Sequence, residues 1–216
     1  MTTKKTAKVL TRAELIKLAF FVLGDTKYGV IKFARTAGQQ SIIQQVAELL
    51  ASDCVDEARI REVADVAAIT SVGSRCKHYV QEPEDAHIQA ASLACYVAKY
   101  VALSLLDPVY LSDAIQTAGL CVRYSTYGQS LARLPDPRKV AHQSGTDKSE
   151  GNSASSALGI RSQDMDACWR LGENAQKEYI ELLARKQASS GKMFALTRWL
   201  DSLRHWLRAL FAKIIG

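Results

Sequence analysis

The sequence predicts an all-α fold: a helical bundle of about five or six helices with a long polar loop and a C-terminal amphipathic helix. Three observations support this. Apolar residues recur at intervals of three and four along most of the chain, the period of a helix with one buried face. Helix-starting patterns precede several of these runs: Thr11 with Glu14 and Ser41 with Gln44 form capping boxes, and Pro83 followed by Glu84 and Asp85 suits a first turn. The composition agrees, with 48% hydrophobic residues and only 4 prolines and 12 glycines in 216 residues. A chain of this length can enclose a core without disulfides or metals to staple it.

Residues 1–134 read as the bundle. Thr11 and Glu14 open a short helix that Gly24 closes. Tyr28 to Ala34 fits either a short strand or a helical turn. Ser41 and Gln44 lead a helix with Ile42, Ile43, Val46, Leu49 and Leu50 on one face. Asp53 or Asp56 caps the next, which presents Ile60, Val63, Ala64, Ala67 and Ala68 and runs toward Val72 before Gly73. Pro83 starts a long helix through Leu106, interrupted by Asp107 and Pro108, and Ser112 or Asp113 starts another that reaches about Leu131. Ala90, Ala91, Ala94, Ala98 and Ala102 in the first of this pair, with Ala114, Ala118 and Gly119 in the second, allow close backbone approach. They predict tight antiparallel neighbours.

From Pro135 to about residue 160 the composition turns to Pro, Ser, Gly, Asp, Asn and Lys, which predicts a flexible loop or linker. Residues 161–188 then read as a helix docked on the bundle. Ser162 or Asp164 starts it, and Met165, Cys168, Trp169, Leu171, Ala175, Tyr179, Leu182 and Leu183 form its apolar face.

Residues 189–216 form the most distinctive segment, a basic amphipathic C-terminal helix. Leu196, Trp199, Leu200, Leu203, Trp206, Leu207, Leu210, Phe211 and Ile214 fall within roughly 140° of a wheel that turns about 100° per residue. Arg198 and Arg208 lie opposite, while Arg204 and Lys213 border the stripe, where their alkyl stems can follow the apolar edge. From Arg185 onward seven Lys and Arg face one acid, Asp201, which equals the whole formal net charge of +6. At about 1.5 Å per residue the helix is about 34 Å long, enough to span a bilayer core. Its charges argue against spanning, because each costs about 2.5 to 3.5 kcal/mol at the bilayer centre. Lying flat on an anionic surface avoids that cost and puts the indoles at the depth they prefer. The competing readings are a last bundle member with its stripe in the core, or a helix held in a partner protein's groove. Ser189, Ser190 and Gly191 make a break that would let the segment move.

The 5 cysteines (Cys54, Cys76, Cys95, Cys121 and Cys168) are scattered and never form a C-x-x-C pair, which favours reduced thiols in the cytoplasm. Lys4, Lys5, Lys8 and Arg12 before Leu18 to Leu23 mimic a secretory signal. Glu14 and Lys17 break the apolar run, however, and Gly24, Asp25, Thr26 and Lys27 replace a small-residue cleavage site.

Catalytic patterns are weak. Cys76, His78, His87 and Cys95 match no zinc spacing, and the two histidines read as exposed residues flanking the Pro83 turn. There is no nucleophile elbow, and no glycine pattern fits a Walker or dinucleotide fingerprint. Asp56 with Glu57, Glu84 with Asp85, and Asp164 with Asp166 fall at helix starts, where acids favour the dipole. The expectation is therefore a non-enzymatic protein without cofactor or metal. It would sit in the cytoplasm, peripherally associated with the membrane, and act as a targeting module or a membrane-perturbing effector. The first alternative is a helical protein-binding module, such as an immunity protein, antitoxin or adaptor, that inhibits or protects a partner. The second is nonspecific nucleic-acid binding, in which Arg198, Arg204 and Arg208 with Lys4, Lys5 and Lys8 supply the cations at a pI of about 9.1.

Overall fold

The computed structural model describes residues 11–25, 29–52, 56–72, 82–134 and 163–187, and all regular structure among them is helical. The order is α1 (Arg12–Gly24), a 3-10 turn (Val30–Phe33), α2 (Ala37–Ala51), α3 (Glu57–Val72), α4 (Pro83–Leu103), α5 (Val109–Leu131) and α6 (163–187). The protein is an all-α bundle. The loop expected over 135–160 and the terminal helix expected over 189–216 lie outside the described residues.

Local chemistry sets the helix ends. At α1 the Thr11 side chain accepts from the Glu14 N–H, while the Glu14 carboxylate accepts from the Thr11 backbone N–H and hydroxyl, both at 2.9 Å. The predicted capping box is thus present and reciprocal. Of the segment that fitted either a strand or a helical turn, Val30–Phe33 form a 3-10 turn, and Tyr28 lies outside the described residues. α2 starts four residues before Ser41, because Thr36 and Gln39 form an earlier capping box and nothing between them breaks a helix. Asp56 caps α3: its Oδ1 accepts from the Arg59 N–H at 2.6 Å, while Asp53 lies outside the described residues.

α4 ends at Leu103, not Leu106. The chain tightens into i→i+3 bonds from Leu105 to Ala102 and from Leu106 to Leu103, and the Ser104 hydroxyl donates back to the Val101 carbonyl. α5 starts at Val109, ahead of Ser112, because the Asp107 carboxylate accepts from the Val109 N–H at 3.0 Å.

α4 is the hub, packing most extensively on α5 and next on α3, with further contacts to α2, the 3-10 turn and α1. Its buried face is built of small residues, Ala86, Ala90, Ala91, Ala94, Ala98 and Ala102, with Cys95, Val97 and Val101 among them. Buried Ser92 donates to the Ser71 carbonyl at 2.9 Å, tying α4 to the end of α3. α4 and α5 run antiparallel, as expected: Gly128 near the end of α5 lies against Pro83 and Ala86 at the start of α4, and Tyr100 stacks with Tyr110 across the turn. A contiguous core joins Leu23 of α1, Ile42, Ile43 and Val46 of α2, Val63 of α3, Val97 and Val101 of α4, and Cys121 of α5.

α6 lies along α5. Tyr179 and Leu183 enter the main core, while Cys168, with Met165 and Trp169, forms a smaller cluster with Ala86, Tyr127 and Leu131. Leu171, expected on the apolar face, is 54% exposed, and its neighbour Gly172 is buried instead. Leu171 stands about 100° round the wheel from the centre of the buried stripe, and the packed face runs through Cys168, Gly172, Tyr179 and Leu183.

Candidate functional site

The stripe predicted to meet a membrane (Leu196, Trp199, Leu200, Leu203, Trp206, Leu207, Leu210, Phe211, Ile214) and its cations Arg198, Arg204, Arg208 and Lys213 lie outside the described residues. Two cations of the same basic run are described, at the end of α6. Arg185 pairs with Glu181 at 3.3 Å, and the Lys186 ammonium sits 5.3 Å from the Phe21 ring centroid. The end of α6 is therefore moored to α1, and the chain leaves the described bundle beside Phe21.

Within the bundle, the 3-10 turn, the first half of α4 and the second half of α5 enclose a groove of about 500 Å³. The 3-10 turn and the residues after it contribute Lys32, Phe33 and Arg35; α4 contributes His87 and Ala90; α5 contributes Val122, Ser125, Thr126 and Gln129. The i, i+3, i+4 and i+7 spacing of the α5 residues places all four on one side of that helix. Arg35 donates through Nη1 to the Glu84 carboxylate, and its backbone N–H donates to Gln39 Oε1 at 2.8 Å, so the capping residue of α2 also fixes this corner. The Lys32 ammonium lies 5.0 Å from the Phe33 ring centroid, within cation–π range. His87, expected to be exposed, is half-buried in this wall. The groove thus joins two permanent cations, an imidazole and three neutral polar side chains to a lining of Phe33, Ala90 and Val122.

A second polar cluster clamps α6 to α5. The Arg123 guanidinium lies 3.9 Å from the Trp169 ring centroid and donates to Glu173 at 2.7 Å. Tyr124 and Tyr127 meet the same indole edge-on, at 5.7 and 5.1 Å between centroids. This arrangement holds two helices together.

The three described thiols are poor nucleophile candidates. Cys95 and Cys121 are fully buried, and desolvation raises the Cys95 thiol to about 11 and pushes Cys121 higher still. Burial also raises Cys168, assisted by the nearby Asp164 carboxylate. Cys95 lies in the core while His87 lines the groove, so these two members of the loose Cys/His grouping point to different places. Cys76 and His78 lie outside the described residues.

Compared with known protein families, curated proteins and solved structures, the chain matches none of them. Its fold defines it as a helical bundle, and its function rests on the chemistry of its own surfaces. Sequence reasoning missed the groove. The available signal was the Lys32-Phe33-x-Arg35 cluster, basic and aromatic together in the one segment whose secondary structure was ambiguous.

Proposed function

We propose that this is a non-enzymatic helical protein that associates reversibly with anionic membrane surfaces through residues 189–216, as a targeting module or a membrane-perturbing effector in the cytoplasm. The supporting observation is that this segment holds five Lys and Arg (Lys192, Arg198, Arg204, Arg208 and Lys213) against one acid (Asp201), together with two of the 3 tryptophans and a single apolar stripe. In this reading Leu196, Trp199, Leu200, Leu203, Trp206, Leu207, Leu210, Phe211 and Ile214 enter the headgroup boundary, and Arg198, Arg204, Arg208 and Lys213 meet lipid phosphates. No helix among the described residues is long and apolar enough to cross a membrane, so the reading does not depend on a span there.

Liposome flotation tests it. The full chain is expected to float with phosphatidylglycerol vesicles, whereas a chain truncated after Ser189 stays in the lower fraction with its helical circular dichroism intact. Equal flotation of the two overturns the reading.

A second reading, a helical module that binds a partner protein, draws on α3, where Val66 is 43% and Ile69 73% exposed one turn apart. Loss of the helical signal on truncation would favour it, because the terminal helix would then belong to the folded core.

A further inference from the structure

We infer that the outer face of α1 is a second lipid contact, set down on the same anionic surface as residues 189–216. The inference rests on the membrane reading of that segment and adds one face of the bundle to it. At about 100° per residue, Ala13, Ile16, Lys17, Phe20, Phe21 and Gly24 fall within roughly 140° of the α1 wheel, opposite the buried Leu15, Leu18, Ala19 and Val22. Ala13, Lys17, Phe20 and Gly24 are exposed, and Ile16 and Phe21 are half-buried. Surface helices ordinarily turn several charged side chains to water. This face has one, Lys17. α3 shows the usual pattern, with Arg59 paired to Glu62 and Arg61 to Glu57 on its exposed side.

Charge favours an anionic partner. Residues 1–24 hold five Lys and Arg (Lys4, Lys5, Lys8, Arg12 and Lys17) against one acid, Glu14, which is buried in its capping box. Residues 189–216 have the same five-to-one ratio, whereas residues 25–188 hold 18 Lys and Arg against 20 Asp and Glu. The surplus of positive charge therefore lies in two segments remote in sequence, and α6 brings them together. Lys186 sits 5.3 Å from the Phe21 ring centroid, so the terminal segment starts beside the α1 face. Residues 188–192 reach at most about 18 Å when extended, and a stripe lying on a bilayer holds α1 close to the same headgroups. Neither contact has to be strong alone, because the tether makes the second binding step intramolecular.

Flotation titrations of the full-length protein with phosphatidylglycerol vesicles test this. The wild type is compared with Phe20→Glu, at a side chain 36% exposed, and with Ile69→Glu, which makes the same charge change on α3 at one 73% exposed. Both variants are first shown to be folded by circular dichroism. Phe20→Glu is expected to lower the partition coefficient about tenfold, because it withdraws an aromatic ring from the interface and sets an anion against anionic lipid, while Ile69→Glu lowers it less than about twofold. Equal partition of the two variants overturns the inference; where the chain truncated after Ser189 still stays in the lower fraction, the reading of the terminal segment stands without it. If the wild type itself does not float, that reading fails and this inference fails with it.

Photocrosslinking identifies what covers the face. With benzoylphenylalanine in place of Phe20, irradiation of the vesicle-bound protein is expected to give a lipid adduct, and the same probe in place of Ile69 to give none. Crosslinking from position 20 to residues 193–215 of the same chain would make α1 a dock for the terminal stripe, and crosslinking to a second chain would make it a dimer interface. Either product in place of the lipid adduct, or no product at all, overturns the inference.

Discussion

The seams on the two sides of α5 are built differently. Toward α4 the contact is made by small apolar side chains: a Cβ placed on Gly128 would lie 2.9 Å from the Ala86 Cβ and 3.0 Å from the Pro83 carbonyl oxygen. Toward α6 glycine again permits close approach, at Gly119 and Gly172, but a polar and aromatic clamp of Arg123, Glu173 and Trp169 adds a second means of attachment. The first seam is packed on small residues, with the Tyr100–Tyr110 ring contact at its turn end. The second depends on volume and on charge, so salt and pairing chemistry should affect it while leaving the first unchanged.

The strongest way to break the comparison is Gly172→Ala. The new methyl would lie 2.7 Å from the Arg123 carbonyl oxygen, a backbone atom that cannot rotate aside. Overpacking is expected to outweigh the roughly 1 kcal/mol helix-propensity gain and leave a net loss of about 2 kcal/mol in chemical denaturation. Hydrogen exchange should show faster opening in α6 than in α4; equal acceleration in both would mean that the two seams are one cooperative unit.

A smaller effect is expected from Arg123→Gln. This side chain is 18% exposed and its partner Glu173 40% exposed, so solvent already screens part of the pair. With the indole contact included, the loss should be about 1 kcal/mol. Raising ionic strength should weaken α6 docking in the wild type and leave the variant nearly unaffected; identical salt dependence would remove charge from the account of this seam.

The smallest effect is expected at Gly119→Ala. The three atoms nearest its Cβ would be side-chain atoms of Gln176 and Ile180, at 3.2 Å, and these can shift by a few tenths of an ångström. The propensity gain of roughly 1 kcal/mol then offsets the crowding, and the melting temperature should stay close to that of the wild type.

The same contrast explains what could be read in the sequence. The α1 start was legible because Thr11 and Glu14 satisfy each other locally, with no help from the rest of the fold. The α2 start was misplaced because two overlapping patterns, Thr36 with Gln39 and Ser41 with Gln44, obey the same rule, and the earlier one continues unbroken into the second. Leu171 was assigned to the packed face because hydrophobicity marks it, while Gly172 carries no apolar signal although it forms the closest approach to α5. Of the groove, only the Lys32-Phe33-x-Arg35 cluster was legible. Lys32, His87 and Ser125 share no periodicity, and only the antiparallel pairing of α4 with α5 and the 3-10 turn across them bring the three together.

The alanines along α4 have one more consequence. A buried alanine gives up no rotamer freedom on folding, so the hub of the bundle becomes ordered at little side-chain entropy cost. It also has few atoms left to lose and no room for more. Substitution along that face is therefore directional: trimming Ala94 or Ala98 to glycine removes a single methyl, whereas enlarging either overpacks a fully buried position.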